Sequence, residues 1–78
     1  MKYSLRRRFC GRTFRYNYRT ECVECVKGNT LIYEVMDLDR SDWKKRKTRK
    51  KAIERCNEII EDYEFGLEFN VDLGGGVA

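Results

Sequence analysis

The 78-residue chain has no histidine and no proline. Without imidazole there is no histidine general base, no Ser–His or Cys–His nucleophile pair, and no mixed cysteine–histidine zinc site. No apolar run approaches the ~20 residues that a membrane-spanning helix needs. The opening MKYSLRRRFC lacks the apolar stretch of a secretory signal. The expectation is a soluble, cytoplasmic protein with reduced thiols. No motif marks a cofactor, a small-molecule substrate or a catalytic centre, so the chain reads as a non-enzymatic binding protein.

The length fits one small domain with a core just large enough to stand alone. Its 17 basic and 13 acidic residues give a net charge of +4, which permits an anionic partner without demanding one. The oligomeric state is not legible.

Residues 1–9 alternate, with Met1, Tyr3, Leu5 and Phe9 against Lys2, Ser4, Arg6 and Arg8, and Arg7 breaking the apolar side. A period of two predicts a half-buried strand. A turn follows at 10–13, with Gly11 free to take positive φ. A long second strand is expected over 14–26, with a bulge or its end near Cys22–Val23 where apolar residues appear on both faces, then a turn at 27–29 and a third strand over 30–39. Ala52, Ile53, Cys56, Ile59, Ile60 and Tyr63 then recur at helical spacing. Asp39, Ser41 and Thr48 all suit the helix cap; Ser41 is favoured, with Gly66 ending the helix near residue 64. The segment FGLEFNVDL alternates strictly and predicts a last strand over 65–73, before a flexible tail at 74–78.

The expected fold is therefore α+β, a single domain over 1–73 ordered β-β-β-α-β. The last strand would lie beside the first, in spatial order 4-1-2-3. The helix would cover Tyr3, Leu5, Phe14, Tyr16, Tyr18, Leu67, Phe69 and Val71. The element order alone resembles the sheet-reading DNA-binding domains of some phage-type integrases, with an extra strand at the end.

Charge is strongly segregated. The first 19 residues carry only basic side chains, and a second basic block, Arg40 to Lys51, is interrupted only by Asp42. Beyond residue 53 the charges are acidic except for Arg55. On a helix this opposes the macrodipole and sets like charges four residues apart. An external anion would relieve that conflict; an apolar stripe strong enough to anchor the helix would tolerate it.

Burying Phe14, Tyr16 and Tyr18 under the helix leaves Arg6, Arg8, Arg15, Asn17 and Arg19 on the opposite sheet face. That face could follow a phosphate backbone or read base edges. It could also be a solvated surface neutralised by Glu68 and Asp72. With Trp43, Lys44, Lys45, Arg46, Lys47 and Arg49 at the helix start, these residues form the candidate site. Nucleic acid is the expected partner. An anionic protein surface is the alternative, as for a short phage-encoded inhibitor or adaptor acting on a host defence (anti-CRISPR-like) or transcription complex.

Cysteine could serve as metal ligand or core. Cys22 and Cys25 have the local spacing of a zinc site, but Cys10 lies roughly 25–30 Å from Cys22 along the expected hairpin. The four thiols then read as structural, with Cys22 and Cys25 the remaining weak metal candidates and no cofactor expected.

Overall fold

Cys10 and Gly11 both take positive φ, 50° and 76°, as a two-residue turn requires if its twist is to match antiparallel strands. They join β1 (Arg7–Phe9) to β2 (Arg12–Asn17). The computed structural model describes the backbone of residues 1–77 and the side chains of residues 1–67.

The strand expected over 14–26 is in fact two strands, β2 and β3 (Cys22–Lys27), folded back on each other. The cause is Asn17. Its side-chain oxygen accepts from the amides of Arg19 (2.9 Å) and Thr20 (3.3 Å), and the Asn17 carbonyl accepts from the Glu21 amide. Asparagine favours such local turns over a continuing ladder. Gly28 (φ 62°) then turns the chain into β4 (Thr30–Asp37). The result is a four-stranded antiparallel meander in the order β1-β2-β3-β4, in place of the 4-1-2-3 arrangement.

Residues 2–4 also pair with β2, through Tyr18 N–H to the Lys2 carbonyl and Ser4 N–H to the Tyr16 carbonyl. The register slips between this segment and β1. Tyr3 lies opposite Asn17, whereas Arg7 lies opposite Phe14. The slip occurs where the Tyr16 amide donates to the Ser4 hydroxyl (2.7 Å) rather than to a backbone carbonyl. One extra residue reverses every side chain upstream of it. Tyr3 and Leu5, expected beneath the helix, are therefore exposed.

Asp39, not Ser41, caps the first helix, α1 (Arg40–Lys44), and its carboxylate accepts from the Ser41 amide. The Ser41 side chain and then its amide hold that carboxyl below the usual range. Lys45 is extended, and α2 (Arg46–Val77) begins directly after it. Trp43, Ile53, Cys56 and Ile60 pack on Phe14, Tyr16, Val23 and Cys25 to form the core.

Both helices follow all four strands, so the order β-β-β-α-β does not hold. The strand expected over 65–73 belongs to α2. Two sheet contacts impose helical spacing on this part of the chain. Arg12 from β2 reaches Asn57 (2.7 Å), Glu61 (3.6 Å) and Glu64, and Tyr63 meets Tyr33 edge-on at 5.8 Å. Extending a nucleated helix adds one hydrogen bond per residue fixed, while a new strand would have to close a fresh loop. Gly66 costs the helix only about 1 kcal/mol relative to alanine. The tail expected at 74–78, and Phe69, Val71, Glu68 and Asp72, fall outside the residues whose side chains are described.

Gly66 lies within α2, and a Cβ placed there meets no atom within 4 Å. Gly66→Ala should therefore raise stability by about 0.5–1 kcal/mol in urea unfolding. A turn with positive φ at this position would give the opposite sign.

Candidate functional site

On the sheet face away from the helices, the expected arginine and asparagine surface is consumed by the protein itself. Arg15 forms an ion pair with Glu24 at 2.9 Å. Asn17 donates to the second Glu24 oxygen at 3.1 Å. Tyr3, reversed by the register slip, covers the Arg15 guanidinium at 3.8 Å from its ring centroid. Glu24 and Asn17 are buried. Burial of a carboxylate demands full partnering, which this network supplies. Arg15 and Asn17 therefore hold the sheet together and do not present a reading surface.

The remaining sequence candidates separate further. Trp43 is only 2% exposed and stacks on Tyr16, ring centroids 5.2 Å apart; it is core rather than an exposed anchor. Arg19 is exposed in the β2–β3 turn. Arg6 is exposed and donates to Asn29 at 3.1 Å. Arg8 is exposed on β1, and Lys44, Lys45, Arg46 and Lys47 are exposed around the junction of the helices.

Two basic blocks nevertheless meet. A cleft of about 270 Å³ lies between edge strand β1 and the first turns of α2. Arg7, Arg8 and Phe9 line one side, and Arg46, Arg49, Lys50 and Ile53 the other. The helical set falls at i, i+3, i+4 and i+7, one face of the helix. It is the N-terminal continuation of the apolar stripe that docks α2 on the sheet. Phe9 and Ile53 are the apolar members of the lining, and the other five residues are cationic.

None of those five cations pairs with a carboxylate among the described residues. Arg49 donates to the Trp43 carbonyl at 3.4 Å. Arg7 Nε is buried and has no hydrogen-bond partner among the described residues. The first turn of α2 contains no acidic residue. Cations here therefore face one another and the unfavourable end of the helix dipole. The other arginines of the sheet differ sharply, because Arg12 and Arg15 each hold glutamate partners.

Sequence reasoning missed Arg7 and Lys50 as site residues. Lys50 was legible from its spacing with Arg46, Arg49 and Ile53. Arg7 shares the parity of Phe9 and so was placed on the apolar side, but its neighbours across the cleft come only from the packing of α2.

The thiols are dispersed. Cys22 and Cys25 lie opposite Asn17 and Phe14, hence on opposite faces of β3. Cys22 donates to Asp37 at 2.9 Å; burial, then that hydrogen bond, pushes its pKa up to about 11. Cys56 is enclosed in the core, where burial raises it to about 12. Burial also raises Cys25. Among the described residues no group of three or more cysteine, aspartate and glutamate side chains is placed to hold a metal ion. No described helix is long and apolar enough to cross a membrane.

No family model matches the chain, and no significant match is found among curated proteins or solved structures.

Removing one member of the buried pair should be far worse than removing both. Arg15→Met is expected to cost about 3–5 kcal/mol in urea unfolding, and Arg15→Met with Glu24→Leu should recover most of it. Thiol chemistry provides a separate check. At pH 8 exposed Cys10 should react quickly with an aromatic disulfide reagent, and Cys22, Cys25 and Cys56 only after unfolding. The unfolded thiols ionise near their ordinary value of 9.0, before Cys22 and Cys56 do in the folded protein. Above that pH the unfolded state binds fewer protons, so the urea midpoint should fall between pH 8 and pH 10.

Proposed function

We propose that this protein is a non-enzymatic nucleic-acid-binding protein whose contacts centre on the cleft between β1 and α2. The observation that carries this reading is the convergence of two basic blocks, some forty residues apart in sequence, on one cleft whose cations have no acidic partner among the described residues. The lining offers guanidinium, ammonium and apolar carbon, with no carboxylate or thiol to act as base or nucleophile. A row of phosphates supplies the missing counter-charge, and arginine forks match phosphate geometry.

The exposed cations Arg6, Lys44, Lys45 and Lys47, adjacent in sequence to the cleft residues, add to its positive field. They would follow the nucleic-acid backbone, where contacts position the protein without reading sequence. Arg19 is exposed in the turn between β2 and β3 and is not among the residues that line the cleft. Arg15, Asn17 and Trp43 have no direct part in the reading, since each is engaged within the fold.

Binding should be measured by fluorescence anisotropy with labelled oligonucleotides at 50 and 200 mM salt. If about three phosphates are neutralised, log K should fall with log[salt] at a slope of about −2 to −3. Arg46→Gln combined with Lys47→Gln should weaken binding by roughly 10-fold and make the slope shallower. Arg55→Gln, which removes an exposed pair with Glu58 elsewhere on α2, should leave binding unchanged. Absence of binding at the lower salt would sink the proposal and favour an anionic protein surface as the partner.

A further inference from the structure

We infer that the cleft seats one unpaired nucleotide, with its base against Phe9 and Ile53 and its phosphate among the arginines that share the lining. This rests on the nucleic-acid reading above and specifies the form of nucleic acid that the site takes.

The first argument is the arrangement of chemistry within the cleft. A surface that only follows phosphates needs cations on an open face. Here the cations share the lining of a recess with an aromatic ring and a branched aliphatic side chain. Phosphate alone leaves half-buried Phe9 partly facing water, whereas a base covers it. Aromatic rings accept any base by stacking, because every base has a π-face.

Size points the same way. The volume of about 270 Å³ sits just below the range of about 300–1,000 Å³ that holds drug-sized ligands. It is suited to a single ring system with its phosphate. A duplex presents paired and stacked bases, so it could place phosphates among the cations but leave Phe9 uncovered. A single strand can turn one base inward without breaking a pair.

Arg7 supplies the third argument. Paired opposite core residue Phe14, it lies on the helix side of β1, beside Phe9 in the lining. Its Nε is buried without a hydrogen-bond partner among the described residues. A buried donor left unpaired is unfavourable, and a phosphate drawn into the cleft offers acceptors to this guanidinium. Phe9, at the sheet edge, is the aromatic residue of the sheet that lines the cleft. Tyr16 is fully buried and Tyr18 packs beside it.

The test compares a single-stranded oligonucleotide with a duplex of equal length at the same salt concentration. The single strand should bind roughly 10-fold more tightly. Phe9→Leu should abolish that preference while salt-dependent binding persists. In amide-resolved NMR, adenosine 5′-monophosphate should shift Phe9, Lys50 and Ile53, and inorganic phosphate should shift them far less. Equal affinity for both oligonucleotides, together with equal responses to the mononucleotide and phosphate, would overturn the inference and leave the nucleic-acid reading standing. No binding of either oligonucleotide would overturn both. If Phe9→Leu fails to fold by circular dichroism, the two wild-type comparisons still decide the matter.

Discussion

Tyr16 joins the separate parts of this small fold. Its amide and carbonyl bond to Ser4, by the hydroxyl and the amide respectively. Its ring stacks on Trp43 and meets Tyr18 edge-on. Its hydroxyl donates to the Leu38 carbonyl, at the exit from β4. Burial, followed by the nearby Glu21 charge, pushes the hydroxyl pKa up and keeps it a donor. One residue, by its main chain and its side chain, thus fixes the N-terminal segment, the middle of the sheet and the start of the helical layer. The position of α2, and of the cleft it forms with β1, depends on that arrangement.

The two faces of the sheet handle positive charge differently. Away from the helices, Glu24 meets Arg15 and Asn17 with both oxygens, so the charge is balanced inside the protein. At the β1 edge, five cations share a cleft with no acidic side chain in its lining among the described residues. The first arrangement builds stability and specificity of register. The second leaves charge uncompensated where a phosphate can approach. The same residue type therefore has opposite roles a few strand positions apart, and only the neighbouring side chains distinguish them.

The later half of α2 shows a comparable contest between local pattern and tertiary contact. Strict alternation from Phe65 onward has the period of a strand. Arg12 and Tyr33 instead engage Asn57, Glu61, Tyr63 and Glu64 at helical spacing. Those contacts fall immediately before the alternating segment and direct the chain to continue as helix. Phe65 and Leu67 are 70% and 45% exposed, so the alternation there does not describe a buried sheet face.

Much of the architecture was legible in the sequence, for local reasons. Alternation identified the early strands, Gly11 and Gly28 marked two turns, and the stripe through Ile53, Cys56 and Ile60 identified the helical layer. The burial of Phe14 and Tyr16 and the clustering of cations near the helix start also followed from spacing. Three features required the tertiary structure. The Asn17 turn competes with a strand of good propensity, and the register slip at Ser4 leaves no periodic signature. The helical choice beyond residue 64 is imposed by side chains from the sheet. Local periodicity determines which residues can share a face; long-range pairing determines which face that is. For this reason the sequence by itself marked the basic blocks, while only the fold balanced Arg15 with Glu24 and brought Arg7 together with Arg46 and Arg49.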